Sequence, residues 1–348
     1  MDFTSFRPTH EMLRLIAELD EFKGSWTALS SISPERLAAL KHVATIESIG
    51  SSTRIEGSKL SDEEVEALLS GIKKKSFRSR DEQEVAGYAD LMEHIFENWK
   101  QIPISENHIK QLHRDLLKYS SKDERHRGNY KTISNNVEAF DSDGKSLGIV
   151  FATATPFETP FMMTELISWT NEQLQTGTIH PLLIIAVFIA RFLAIHPFKD
   201  GNGRLSRALT TLLLLQSSYK YAPFSSMESI VEMNKESYYL ALRRTQSTLD
   251  SNAPKWEPWI TFFLQSMQKQ KVNLHSKLSR ERILEGDLPP LSLSIIDLVK
   301  ERGRIKISEI ELLTGESRST IKLRLNELVA RGLLFRHGKG PSTWYAKN

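Results

Sequence analysis

The sequence predicts a mainly α-helical protein with one β-hairpin set into the helical core and a small separate domain at the C-terminus. Three observations carry this. Two largely apolar stretches, Pro181 to Ile195 and Leu205 to Leu215, enclose a short polar turn, which is the pattern of two buried helices joined by a loop. Two β-branched segments, Gly128 to Val137 and Ile149 to Thr153, flank the turn chemistry of Asp141-Ser-Asp-Gly144 and read as a hairpin. Gly286-Asp-Leu-Pro-Pro290 then separates this part from three short helical patterns and a Gly-rich strand pair.

The 348 residues allow about two domains. The net charge of +3 is too small to name a partner, but from Lys271 onward 15 Lys and Arg stand against 9 Asp and Glu, so the basic excess is C-terminal. There is no cysteine, which excludes disulfides and thiolate metal sites. Met1 to Arg7 has no apolar stretch of the kind a secretory signal needs. The longest apolar run, Leu182 to Ala190, is far short of the roughly 20 residues that cross a bilayer. A cytoplasmic protein without membrane association is expected.

In chain order, Glu11 to Phe22 places Met12, Leu13, Leu15, Ile16 and Leu19 on one side of an amphipathic packing helix. Ser33-Pro34-Glu35 is a helix start with Ser as N-cap and Pro at the first helical position, and the helix runs through Leu37, Leu40, Val43, Ile46 and Ile49 towards Ser52-Thr-Arg-Ile-Glu56-Gly57, where Gly57 is a stop. Ser61-Asp-Glu-Glu64 reads as a capping box. Lys73 to Arg80 reads as a solvated basic loop, with helices following over Gln83 to Trp99 and Ser105 to Lys118. After the hairpin a helix passes through Met162, Leu166 and Trp169, and Trp256 to Phe263 closes the core.

Within the polar turn, Gly201 and Gly203 flank Asn202, so the backbone can take positive φ and lie close to a ligand. Successive N–H groups at the start of the next helix form an anion nest. Arg204 and Arg207 share one face of that helix and suit bidentate phosphate contacts. His196 stands beside the nest as a candidate base, and Asp200 offers an oxygen ligand suited to Mg²⁺. Each element alone has an ordinary reading: a Gly-Asn-Gly turn, a structural histidine, a solvated arginine pair.

Together, His196-Pro-Phe198-x-Asp200-Gly-Asn-Gly-Arg204-x-x-Arg207 resembles, without a mismatch, the Fic family signature HPFx(D/E)GNGRxxR. The resemblance implies a Fic helical core with a β-hairpin flap, and transfer of AMP from ATP to a Ser, Thr or Tyr hydroxyl of a target protein, and of the chain itself. It assigns His196 as the base, Asp200 to Mg²⁺, the backbone of Gly201 to Gly203 and the side chain of Asn202 to the α-phosphate, Arg204 to the β-phosphate and Arg207 to the γ-phosphate. Ser52-x-x-x-Glu56-Gly57 is similar to the family's inhibitory motif, which implies that Glu56 pairs with Arg207 and misdirects ATP. Thr132, Ile133, Ser134, Asn135, Asn136 and Val137 correspond to the flap wall. Asn136, Glu138 and Ala139 stand where relatives carry a Trp and a Gly pair, which leaves target specificity open. Tyr238 and Tyr239 resemble a pair that borders adenine, with a core role equally open to them, and Gln246 stands where some relatives use an Asn. Related proteins move phosphocholine, UMP or a γ-phosphoryl group instead, and a DNA-binding regulator carrying a Fic module is the reading from another class.

The expected division is a helical region over 1–110 with the Ser52 to Gly57 motif, a catalytic core over 111–268, a linker over 269–290 and a domain over 291–348. The last resembles a winged helix-turn-helix, with helices at Leu293 to Val299, Ile307 to Thr314 and Ser317 to Arg331. Ser317, Arg318, Thr320, Lys322 and Arg324 open the third helix in a place suited to groove contacts, and both a DNA partner and a protein partner fit such a module. A homodimer is compatible with all of these features.

Overall fold

The computed structural model describes residues 3, 6–28, 34–71, 77, 79–135, 137–140, 146–251, 253–286, 288–338, 340 and 343–346. They divide into two compact units, Met1–Leu274 and His275–Asn348.

The first unit begins with α1 (His10–Ala28), whose Met12, Leu15 and Leu19 are fully buried. Next come α2 (Pro34–Ile55) and α3 (Asp62–Gly71). The capping box between Ser61 and Glu64 forms in both directions, at 2.9 and 3.3 Å. After α4 (Arg80–Asn98) and α5 (Glu106–Leu116) comes the hairpin of β1 (Val137–Phe140) and β2 (Ser146–Phe151). It is antiparallel, pairing Val137 with Phe151 and Glu138 with Ile149, so the register shifts between the two.

The hairpin is shorter than its β-branched sequence suggests, because Lys131 and Asn135 place their polar groups on the signature turn. The Lys131 amide donates to the Pro197 carbonyl at 2.8 Å, and Asn135 Nδ2 donates to the Phe198 carbonyl at 2.6 Å. Asn136 and the turn residues 141–145 lie outside the described residues.

Helix α6 (Thr159–Thr176) leads to α7 (Pro181–Ile195), the centre of the unit. Pro181 sits at the first position of α7, and His180 Nδ1 accepts the Leu182 N–H, so the helix starts where the sequence stops being polar. Every residue from Leu182 to Ala190 is buried, which is why this run shows no amphipathic period. Helix α7 packs between α6 and α8 (Asn202–Gln216). Helices α9 (Met227–Met233) and α10 (Lys235–Gln246) follow, then α11 (Glu257–Gly286), which begins in this unit and ends in the second, with Trp256, Trp259 and Phe263 buried in the core as expected.

The second unit contains α12 (Pro290–Arg302), β3 (Arg304–Ile305), α13 (Ile307–Thr314), α14 (Arg318–Ala330), β4 (Phe335–His337) and β5 (Trp344–Ala346). Its three strands are antiparallel in the order β3, β5, β4. Two-residue β3 is too short to leave a periodic signal in the sequence. Ile295, Val299, Ile310, Ile321, Leu325 and Leu328 form the unit's own core.

Candidate active site

The turn between α7 and α8 starts on a left-handed residue. His196 has φ 53 and ψ 58, and its N–H closes α7 on the Phe192 carbonyl at 2.9 Å. Outside glycine this conformation costs about 1 kcal/mol or more and concentrates at functional sites. His196 Nδ1 faces the Leu193 carbonyl at 3.4 Å. A proton on Nδ1 satisfies that carbonyl and leaves the Nε2 lone pair open. Burial pushes the imidazole down to about 4, so it is neutral at physiological pH.

The turn is held from inside by the Asn202 carboxamide. Its Oδ1 accepts the Phe198 N–H at 3.0 Å and its Nδ2 donates to the Phe198 carbonyl at 2.6 Å. The Asn202 side chain therefore shapes the turn by bonding both backbone groups of Phe198. Gly201 caps α8 at φ 79, and a Cβ on Gly203 would collide with Glu56 Oε1. A carboxylate thus lies against the first turn of α8, where helix dipole and free N–H groups favour an anion.

The same carboxylate holds Arg207. Arg207 Nη2 donates to Glu56 Oε1 at 2.9 Å and to the Ser52 carbonyl at 2.8 Å, and Nε donates to Ser52 Oγ at 2.8 Å. Burial, the largest single influence, would lower the Arg207 guanidinium, but the charge and hydrogen bond of Glu56 together with the neighbouring Tyr238 and Tyr88 raise it. The guanidinium is 7% exposed and the Glu56 side chain 32%. The end of α2 that presents Ser52 and Glu56 is itself anchored by Arg54, which grips Glu232 at 2.7 and 3.0 Å and Asp62 at 2.8 Å.

On the other side of the turn four charges close a ring. Arg204, 2% exposed, lies 2.9 Å from Glu84 Oε2 through Nη1 and 3.2 Å from Asp200 Oδ1 through Nη2. Arg80 Nε donates to Glu84 Oε1 at 2.7 Å, and its Nη2 donates to Asp200 Oδ2 at 2.7 Å. Arg80 is therefore not part of a solvated loop: Ser79 caps α4 on the Glu82 N–H, and Arg80 opens that helix against the turn. Burial pushes the Asp200 carboxyl up, yet Arg204, the Gly201 amide and Arg80 together hold it below the ordinary value of 3.8.

Two further residues fix the turn, and nothing in their local sequence singles them out. His113 is fully buried, and its ring stacks on Phe198 at 3.8 Å. Gly128 N–H donates to its Nδ1 at 2.7 Å, so Nε2 carries the proton and donates to the Asp200 carbonyl at 2.9 Å. Burial holds His113 down to about 4. Lys131 Nζ reaches Asn135 Oδ1, Thr153 Oγ1 and the Ile195 carbonyl at 2.8, 2.9 and 2.9 Å. It thereby ties the hairpin base to the C-terminus of α7, where a cation is favoured; burial pushes the amine down to about 8.

The remaining expected residues are spread more widely. Thr132, Ile133 and Ser134 are exposed beside the turn, and Val137 opens β1. Tyr238 is buried edge-on against Trp259 and Phe262 at 5.6 and 5.8 Å, and it lines a cavity together with Arg207. Tyr239 is 44% exposed and is the member of the pair with a free face. Gln246 Nε2 donates to the Ala190 carbonyl at 3.4 Å, which commits the amide to α7. In the second unit Arg318 pairs with Glu311 at 3.4 Å and Arg324 with Glu327 at 2.9 Å, whereas Lys322 is exposed. Among the described residues no helix is long and apolar enough to cross a membrane.

The chain is similar to several known proteins. Residues 103–214 match the Fic/DOC family, and residues 289–341 match a family described as bacterial protein of unknown function (DUF977). The protein adenylyltransferase Fic of Drosophila grimshawi is 26% identical over 208 residues, 59% of this chain and 40% of the relative. That of Aedes aegypti is 29% identical over 198 residues, 55% of this chain and 37% of the relative. The match thus spans about 40% of the length of these curated relatives. A Fic family protein from Desulfovibrio desulfuricans G20 has a crystal structure with TM-score 0.65 at 21% identity, covering 99% of this chain and 97% of that one, a likeness of fold.

Proposed function

We propose that this chain, which carries a Fic/DOC family region and is distantly related to protein adenylyltransferases, transfers AMP from ATP to a hydroxyl of a target protein and is restrained by Glu56. The observation that carries this reading is the Glu56 carboxylate, which meets Arg207 Nη2 at 2.9 Å while lying against Gly203 at the start of α8. A side-chain anion sits where the nest and the guanidinium would otherwise receive phosphate.

In the reaction, neutral His196 takes the proton of the incoming Ser, Thr or Tyr hydroxyl through Nε2. The hydroxyl oxygen forms a bond to the α-phosphorus, the bond from that phosphorus to the bridging oxygen breaks, and pyrophosphate leaves with the electron pair. The N–H groups of Gly201 to Gly203 receive charge developing on the α-phosphate, an oxyanion-hole role. Arg207, once released by Glu56, receives the γ-phosphate. Arg204 reaches the β-phosphate only by sharing a guanidinium edge now turned to Glu84 and Asp200. Thr132 to Val137 guide the target segment along the hairpin, and Tyr239 offers the face for adenine.

Among the described residues no cluster of three or more His, Asp or Glu could cage a metal. Asp200, a hard oxygen donor at the edge of the nest, fits Mg²⁺ in the way that ion commonly binds, through one carboxylate with substrate phosphates and water completing the shell. Bound there, the ion would neutralise charge on the α- and β-phosphates.

Parallel incubation with α-labelled and γ-labelled ATP tests the reading. Retention of the α-label on protein, absent in His196→Ala, is expected, since removal of a base typically costs 10²- to 10⁴-fold, order of magnitude. Retention of the γ-label alone would replace it with phosphoryl transfer.

A further inference from the structure

The geometry points to Arg80 as the residue that sets the affinity of this site for a divalent cation: its guanidinium holds Asp200 Oδ2 and competes with the cation for that oxygen. The inference rests on the reading of Asp200 as the metal-binding carboxylate, and nothing in the signature itself contains Arg80.

The two oxygens of Asp200 are held differently. Oδ1 receives the Gly201 N–H at 2.6 Å and Arg204 Nη2 at 3.2 Å, and both donors are fixed, one by the turn and one by burial. Oδ2 receives Arg80 Nη2 at 2.7 Å, and that side chain is 46% exposed. A hard cation needs a carboxylate lone pair, and Oδ2 is the oxygen whose described partner can rotate away. Arg80 does not have to leave altogether. Its Nε bonds Glu84 Oε1 at 2.7 Å across one turn of α4, so Nη2 can swing off Asp200 while Glu84 keeps the guanidinium beside the turn. Glu84 in turn bridges to Arg204, so rotation exchanges one partner and leaves the buried part of the ring in place. The arginine and the cation are alternative positive partners of one carboxylate, which makes their binding mutually exclusive at Oδ2.

The test uses the full chain with Glu56→Gly, in which Arg207 is free, and α,β-methylene ATP, which resists transfer. The readout is the ratio of its Kd in EDTA to its Kd in saturating Mn²⁺, measured by calorimetry with no turnover. Adding Arg80→Ala is expected to raise this ratio about threefold to fivefold, in keeping with a half-exposed ion pair. Arg80→Gln serves as the second variant, since it keeps the stem and loses the charge. With Asp200→Ala the ratio falls, and adding Arg80→Ala to Asp200→Ala changes it no further. An unchanged or lower ratio in both Arg80 variants, with Asp200→Ala still lowering it, overturns the competition and makes Arg80 a surface ion pair or a direct phosphate contact. If Asp200→Ala leaves the ratio at its starting value, the metal reading of Asp200 itself fails.

Discussion

Arg204 and Arg207 lie three residues apart on α8, yet their surroundings differ in kind. Arg207 meets one carboxylate, Glu56, whose side chain is 32% exposed and comes from the end of α2. Arg204 is locked between Glu84 and Asp200 and closed by Arg80, with Glu84 only 10% exposed. The first pair opens at the lower cost, because water solvates the released carboxylate and Ser52 still accepts two hydrogen bonds from the buried Arg207 guanidinium. The second opens at the higher cost, because a buried guanidinium would be left without its counter-charge. On the proposed function, one arginine serves as a switch and the other as a keystone.

The sharpest way to break that contrast is to remove each carboxylate in turn. Glu84→Ala should cost about 3 kcal/mol of unfolding free energy, the usual result of breaking a buried pair, whereas Glu56→Ala should cost clearly less, because Ser52 Oγ and the Ser52 carbonyl still accept from Arg207. Denaturant titration of both variants checks this, and equal losses would erase the distinction. Acid should act next. His196 and His113 are both held from 6.5 down to about 4 by burial, so the unfolded chain takes up protons that the folded one refuses. Their stability contribution is complete above pH 6.5 and is lost as pH falls through 6.5 towards 4. The thermal midpoint should drop between pH 7 and 5.5, with a shallower slope in His113→Gln; a flat profile in the parent protein would contradict the burial argument. The smallest effect should follow deletion of residues 291–348. All the charges compared above lie in the first unit, so transfer should stay within about twofold of the full chain, a change worth under 1 kcal/mol. A folded but inactive fragment would show that the site depends on the second unit.

The two arginines also differ in how far the sequence revealed them. Apolar runs 182–190 and 205–215 announced α7 and α8, because burial on all sides suppresses periodicity and leaves an unmistakable composition. The Glu56 pairing is readable through its short motif upstream of the core. The Arg80 and Glu84 side was not, because Arg80 bonds a residue 120 positions away and its own neighbourhood reads as an ordinary basic loop meeting a helix start. His113 is hidden for the same reason, 87 positions from the carbonyl it holds. The hairpin was placed too early, since β-propensity in residues 128–135 says nothing of the bonds that Lys131 and Asn135 make to the turn. Tyr238 reads equally as a border for adenine or as core from the sequence, and it both packs on Trp259 and Phe262 and lines a cavity with Arg207.

The central claim is that Glu56 withholds Arg207 from ATP, and one rate comparison tests it most directly. The initial rate of α-label transfer at saturating ATP is measured for the parent chain, Glu56→Gly, Arg207→Ala and the double variant. Glu56→Gly should be faster by about tenfold or more, equivalent to about 1.4 kcal/mol, and the double variant should lose that gain because the liberated guanidinium is gone. A folded Glu56→Gly protein that transfers no faster than the parent would contradict the account and return Glu56 to the role of a carboxylate at a helix end.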